Sequence, residues 1–371
     1  MKLAICVLGD ISKNDGTTVR AKRVYDALKA SCDCTLITRS EMQNLPEGVV
    51  EVGPVRTKLW NFKLVPVILK NKFDVTYCSN DYFGYVTFFL FSKLRPAKLI
   101  FEAHGILSLE KKAKSKTLLS GLIVRIYRRL ERFIMGHSDH VVALSSDIYN
   151  YYKRFSREIS LIPVFLDESS FKAGESIANR PEKENQQRTV GLIGPFDRFS
   201  LNLPGLDFLY RNIDAFDGRI RFVIIGDCDR RLANGRFTYT GYLADEDYVE
   251  QLTRLDAVLA PAKIATFGQL NKILEPMACS LPVFTTPIGA IGLDHVSHGN
   301  DIFIFNEEEL VERVNSLLFD IDILHSVGER ARSTIEKYYS KTTNEKKLKA
   351  VMATVIDSDM SFSSNHTNLL W

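Results

Sequence analysis

Residues 265–293, ATFGQLNKILEPMACSLPVFTTPIGAIGL, set a glycine, a lysine and a glutamate (Gly268, Lys272 and Glu275) at the mouth of an apolar helix. Lys272 and Glu275 are three apart and so share a helix face. Pro276 is comfortable only in a first turn, where its missing N–H costs nothing, so the helix is expected to start near Asn271. Both charges then stand beside the positive end of the helix dipole, whose free N–H groups attract phosphate. A lysine there adds a point charge suited to a pyrophosphate, and Gly268 lets the backbone come close to it. Glu275 would repel phosphate, but a carboxylate accepts well from two neighbouring hydroxyls such as those of a ribose. The chemistry is that of a nucleotide-diphosphate seat. The same spacing also suits an exposed ion pair worth about 0.2–0.5 kcal/mol, with the strand LPVFTT and its two terminal hydroxyls as a plain connection.

His104, in FEAHGIL, stands at a strand end before a glycine. It is placed to hydrogen-bond a transferred sugar or an acceptor hydroxyl, or it is a loop histidine with no role. The seven histidines show no ligand spacing and no paired aspartates follow a strand, so no metal is expected. Six scattered cysteines without a Cys-x-x-Cys pair indicate neither a zinc site nor disulfides, and read as small buried residues in a reducing compartment.

The elements that must position these residues are α/β. Apolar runs such as KLAICVL, CTLIT, DVTYCS, KLIFEA, HVVALS, TVGLIG, RFVIIG, FTYTG, AVLAPA and LPVFTT alternate with amphipathic segments, the pattern of parallel sheets covered by helices. Two doubly wound units are expected, residues 1–167 and 189–356, joined by a polar linker at 168–188 and followed by a loose tail at 357–371, with a helix near residues 333–352 returning toward the first unit. Open parallel sheets bind ligands beyond the carboxyl ends of their strands. Gly16, Asn80, Asp81, His104, and Gly194 to Arg198 all follow strands, as does the 265–293 segment.

The net charge of +3 hides an asymmetry, since residues 1–170 hold 26 Lys and Arg against 17 Asp and Glu, and the remainder 22 against 28. A basic first half suits an anionic partner. Residues 110–135 combine Lys111, Lys112, Lys114, Lys116, Arg125, Arg128, Arg129 and Arg132 with apolar residues at helical spacing, and LWNFKLVPVILKNK places Trp60 and Phe62 among lysines. These segments suit a membrane surface, or simply a packed helix with a solvated basic face. No nucleic-acid module is visible, and no nucleic-acid partner is expected. The longest apolar stretch, Tyr85 to Phe91, is far short of the ~20 residues that span a bilayer, and the N-terminus does not read as a signal peptide. The chain is expected to be cytoplasmic, with peripheral contact at the inner membrane face.

The 265–293 segment resembles the donor-binding motif of GT-B glycosyltransferases, particularly glycosyltransferase family 4, whose usual form is close to G-x-x-x-K-x-x-E-A-M-A-x-G-x-P-V. VALSSDIYNYY with ISLIPVFLDESSF, FVIIGD, FTYTGYLADEDYVEQLTRLDAVLAP and GTTVRAKRVYDALKA are similar to other family passages, in order. The resemblance implies two Rossmann-like domains facing across a cleft and transfer of a sugar from a nucleotide-diphosphate sugar. The acceptor would be a glycan or lipid-linked glycan in cell-surface polysaccharide synthesis, and configuration would be retained without a metal or other cofactor. It implies donor contacts at Gly16, Gly194, Arg198, Tyr242, Gly268, Lys272 and Glu275, with His104, Lys272 and Glu275 as catalytic residues. The chain departs from the family at Phe267, where many members carry a first glutamate, and at Pro195 and Asn202, where an arginine and a lysine are usual. Arg198 is the candidate substitute. Ser280 and Pro276 stand for a glycine and an alanine. These departures keep open a second reading, a nucleotide-sugar-binding subunit that does not itself transfer. A nicotinamide oxidoreductase fails on the missing G-x-G-x-x-G after the first strand.

Overall fold

A computed structural model of the chain describes all residues except 8, 12–15, 40–44, 53–59, 114–117, 172–186, 198–200 and 366–371. The chain divides into two units, one of Met1–Phe165 with Lys341–Trp371 and one of Leu166–Ser340.

The first unit runs β1 (Lys2–Val7), α1 (Gly16–Leu28), β2 (Asp33–Thr38), β3 (Val49–Glu51), α2 (Trp60–Lys70), β4 (Val75–Ser79), α3 (Tyr82–Phe91), β5 (Lys98–Ala103), α4 (Leu107–Ala113), α5 (Leu118–His137), β6 (His140–Ala143), α6 (Ser146–Tyr152) and β7 (Ile159–Leu161). Its sheet has the order β3-β2-β1-β4-β5-β6-β7, and the paired strands are parallel. Strands such as β1 and β4 are buried along nearly their whole length because helices cover both faces. The strand order reverses between β1 and β4, which opens a crevice beyond their carboxyl ends.

The second unit runs β8 (Arg188–Ile193), α7 (Leu203–Arg211), β9 (Ile220–Ile225), β10 (Phe237–Gly241), α8 (Asp245–Thr253), β11 (Ala257–Ala260), α9 (Asn271–Ala278), β12 (Val283–Thr285), β13 (Phe303–Ile304), α10 (Glu307–Leu317) and α11 (Ile321–Thr334). Its parallel sheet has the order β10-β9-β8-β11-β12-β13, so the reversal falls between β8 and β11. A π-helical turn at Ile335–Tyr339 then leads to α12 (Lys341–Asn365).

Leu348, Val351, Met352 and Val355 of α12 join the first unit's core with Leu3 and Ile5 of β1 and Val24 and Leu28 of α1. The loose tail expected from residue 357 is therefore corrected in part. Helix α12 continues to Asn365, because apolar anchors on one of its faces carry the ordered turn onward. Residues 366–371 lie outside the described set.

Candidate active site

In the second unit α9 starts at Asn271, where the sequence predicts, but Pro276 is its sixth residue rather than part of its first turn. Packing accounts for the difference. Pro276 is buried beside Ile273, Leu274, Met277 and Ala278, and that burial outweighs one lost backbone hydrogen bond in an eight-residue helix. Leu270, the N-cap of α9, has no side chain that can cap it. The loop before it is braced instead. Gln269 Nε2 donates to the Gly292 carbonyl at 2.8 Å, and Phe267 adopts a left-handed φ of 60°. Gly292 has a φ of 84°, and a side chain there would meet the Phe267 carbonyl at 2.7 Å, so only glycine permits this approach.

The two hydroxyls at the end of LPVFTT are engaged with backbone. Thr285 Oγ1 donates to the Ala260 carbonyl at 2.7 Å and Thr286 Oγ1 to the Ala262 carbonyl at 2.6 Å. They tie the carboxyl ends of β11 and β12 together.

Lys272 Nζ donates to Asn202 Oδ1 at 2.9 Å, and Asn202 Nδ2 donates to the Pro195 carbonyl at 3.3 Å. Asn202 immediately precedes α7, the helix after β8, whereas Lys272 lies on the helix after β11, so the pair spans the sheet's switch point. Gly194 allows this, since a Cβ there would meet Asn202 Nδ2 at 2.6 Å. Although the lysine side chain keeps some exposure, its dense surroundings pull its pKa from the usual 10.5 down to about 8, with burial as the cause. Lys272 makes no ion pair among the described residues, so the surface Lys272–Glu275 pair is not what this helix carries. Glu275 Oε2 accepts a hydrogen bond from Tyr248 OH at 3.0 Å.

In the first unit His104 follows β5 and its side chain is 12% exposed. Its Nε2 lies 2.7 Å from Glu102 Oε2 and 3.2 Å from Ser79 Oγ. Glu102 and Ser79 are register partners on β5 and β4. Behind them Arg20 of α1, 1% exposed, meets Glu102 Oε1 through Nε at 2.8 Å and Nη2 at 2.7 Å, and donates through Nη1 to the Pro163 carbonyl at 3.0 Å. Tyr77 OH adds a 2.6 Å bond to Glu102 Oε1. Burial alone would raise the Glu102 pKa, but the Arg20 guanidinium and His104 hold it well below the usual carboxylate range. The network ties α1 to the neighbouring strands β4 and β5 near their carboxyl ends. Next to it Asp81 caps α3, accepting from Gly84 N at 2.8 Å and from Cys6 Sγ at 3.1 Å, and burial pushes its pKa up to about 6.

The remaining expected residues are dispersed. Gly16 is the first residue of α1 and exposed, with open space where a side chain would go. Gly268 is buried, and its carbonyl accepts from Thr266 Oγ1 at 3.3 Å. Tyr242 is exposed just beyond β10, at the sheet's edge. Arg198 lies outside the described residues.

Sequence reasoning missed Arg20, Glu102 and Tyr248. A signal for Glu102 was present, because a carboxylate inside an apolar strand two residues before a histidine shares that residue's face. Being buried, it must also find a cation. Among the described residues no group of three or more His, Cys, Asp or Glu could hold a metal ion, and no helix is long and apolar enough to cross a membrane.

Two family models match the chain: Glycosyltransferase Family 4 over residues 14–170 and Glycosyl transferases group 1 over residues 187–320. No curated protein sequence matches it. Among solved structures, sucrose-phosphate synthase from Thermosynechococcus elongatus aligns with a TM-score of 0.80 at 15% identity, covering 96% of this chain and all of that one. Anabaena HepE, solved in complex with UDP and glucose, aligns with a TM-score of 0.74 at 15% identity over 95% of this chain and all of that one. WaaG, a glycosyltransferase involved in lipopolysaccharide biosynthesis, aligns with a TM-score of 0.67 at 17% identity over 93% of this chain and 98% of that one. At these identities the structural likeness speaks for the fold alone.

Proposed function

Because the chain belongs to the group 1 glycosyltransferases and has their GT-B fold, we propose that it moves a sugar from a nucleotide-diphosphate donor to a glycan or lipid-linked glycan acceptor, retaining configuration, in cell-surface polysaccharide synthesis. The observation that carries the donor half is Lys272, a cation largely removed from water whose hydrogen-bond partner is the neutral amide of Asn202. A buried charge without a counter-charge is costly, and a diphosphate at this switch point supplies one. The positive end of the α9 dipole, beside Lys272, points the same way.

In this reading Lys272, the end of α9 and Arg198 stabilise the charge that grows on the departing diphosphate. Gly194, packed on Asn202, and Gly268, four residues before Lys272, leave room for the donor in the second unit, and Glu275 receives ribose or sugar hydroxyls beside Tyr248. The bond from the sugar's anomeric carbon to phosphate breaks, a bond to the acceptor oxygen forms on the same face, and the acceptor's proton passes to the leaving phosphate. His104 hydrogen-bonds a hydroxyl of the sugar or acceptor. No metal or other cofactor enters the scheme.

The lipid-linked acceptor draws support from the outward faces of α2, α3 and α5. Phe62 (72% exposed), Leu69, Phe83, Leu90 (67% exposed), Leu122 and Ile126 are open to solvent there, interleaved with exposed Lys63, Lys70, Lys93, Arg125 and Arg129. Arg95 Nη2 bonds the Leu69 carbonyl at 3.1 Å and Phe89 packs edge-on against Phe133 at 4.9 Å, so the three helices form one layer. Apolar side chains among cations suit the anionic inner face of a membrane. Lys111 and Lys112 extend the cationic surface from α4, Trp60 is the first residue of α2, and Lys114 and Lys116 lie outside the described residues.

Thermal protection by a panel of nucleotide sugars tests the donor assignment. UDP-glucose is the first candidate, because HepE was solved with UDP and glucose. A ligand at a hundred times its dissociation constant adds about 2.7 kcal/mol of stability. A panel in which no nucleotide sugar protects the chain overturns the assignment.

A further inference from the structure

The hydrogen bonds around His104 leave one choice for the single proton of its neutral ring. Ser79 Oγ donates to Glu102 Oε2 at 2.8 Å, so toward the ring it can only accept. Glu102, held ionised against Arg20, is an acceptor at both oxygens. Both groups that face Nε2 are therefore acceptors, and Nε2 must carry a hydrogen. Nδ1 makes no hydrogen bond among the described residues and keeps its lone pair in the neutral ring.

We infer that Arg20 and Glu102 are positioning residues which hold His104 in the Nε2–H tautomer and present Nδ1 as an acceptor to a hydroxyl of the bound sugar or acceptor. The hydroxyl's identity rests on the proposed glycosyl transfer, whereas the tautomer does not. The arrangement exceeds what a structural ion pair needs. Arg20 is satisfied by Glu102 Oε1 and the Pro163 carbonyl, and Tyr77 also meets Oε1. The second carboxylate oxygen is given to Ser79 and His104, at the end of the network that reaches solvent. Arg20 lies over the Phe165 ring at 4.5 Å, so it cannot swing away and release the carboxylate without leaving two sets of contacts.

Nitrogen NMR of the full chain labelled with 15N-histidine tests this across a pH titration, read where the ring is neutral, with the His104 signals identified by their loss in His104→Gln. The expected spectrum shows protonated Nε2 and unprotonated Nδ1, and an Nδ1–H ring or an even average of the two tautomers overturns the inference. The test needs no substrate, so it stands apart from a failure to find the donor. In Glu102→Gln the single tautomer should be lost, with kcat falling about ten- to a hundredfold, the usual cost of removing a residue that orients a functional histidine. KM should rise for whichever substrate carries the hydroxyl and stay within about twofold for the other. Should that variant not fold, Glu102→Asp keeps the charge opposite Arg20 while drawing the carboxylate back from the ring, and the same two changes are expected. A folded variant that keeps both the tautomer and kcat overturns the assignment.

Discussion

Lys272 and Asn202 stand 70 residues apart in the chain and meet at 2.9 Å over the switch point of the second sheet, an ammonium against a neutral amide. The amide can orient the cation but cannot neutralise it. Such a lysine costs stability until an anion arrives.

Lys272→Met should therefore raise the melting temperature of the ligand-free protein, by a stability gain of roughly 1–2 kcal/mol, while removing binding of nucleoside diphosphates. Binding of the bare nucleoside should change far less. Calorimetry on both ligands and a melting curve decide it, and a variant that melts earlier while losing both ligands equally would mark Lys272 as structural.

The same lysine sets a pH dependence. Its folded pKa, about 8, lies below the usual 10.5, so from pH 8 to 10.5 the unfolded chain holds the proton that the folded chain has lost. The lysine's cost is complete below pH 8 and is relieved as pH rises through that window. Diphosphate affinity runs the other way, being level below pH 8 and weakening above it by up to about tenfold per unit. Titration calorimetry from pH 6 to 10 reads this directly, and an affinity independent of pH in wild type would rule it out.

Glu275→Gln keeps size and helix propensity and still accepts from Tyr248, but it loses the charge that receives two hydroxyls. The expected loss is roughly 1.5–3 kcal/mol in donor binding or transition-state stabilisation, with melting little changed. Tyr248→Phe is the control. It removes one hydrogen bond to the carboxylate and should cost transfer much less than Glu275→Gln does.

Asp81 makes a test of stability alone. Its folded pKa of about 6 lies above the ordinary 3.8, so the folded state holds an extra proton between these values, and stability contributed by this group falls as pH rises through them. Asp81→Asn still accepts from Gly84 N–H and should gain about 2–3 kcal/mol relative to wild type between pH 4 and pH 7. Urea denaturation of both proteins at the two pH values measures the difference.

Sedimentation with vesicles tests the layer of α2, α3 and α5. Binding should require anionic lipid, weaken with salt, and lose about 1 kcal/mol for each cation removed among Lys63, Lys70, Arg125 and Arg129. Indifference to lipid charge would leave these faces without a membrane.

Much of the fold was legible because its signals are local. An apolar run as complete as Leu3–Val7 of β1 has few other readings, and the long α5 repeats its apolar residues at helical spacing. Strands β3, β7 and β13 have only two or three residues, too few to show a period. Helix α2 was hidden by Pro66 in its interior, and α9 kept a proline where only burial explains it. The site was legible by half. The chemistry of Lys272 can be read from its neighbours in sequence, but its partner Asn202 cannot, because contact across 70 residues is decided by the sheet order. Arg20 looks like one more surface cation until β5 buries a carboxylate opposite it.

Helix α12 carries a consequence for how the protein is made. The core that holds Leu3, Ile5 and Val24 also contains Leu348, Val351, Met352 and Val355, so the first unit to be synthesised is the last whose core can close. Residues 166–340 form one continuous stretch and can fold as soon as they leave the ribosome. At about 5–20 residues per second, the first unit waits on the order of ten seconds or more with its α1 face bare. A chaperone that shields apolar surface during that interval should raise the yield of full-length chain and do nothing for a chain that stops at Ser340, whose α1 face never finds its cover.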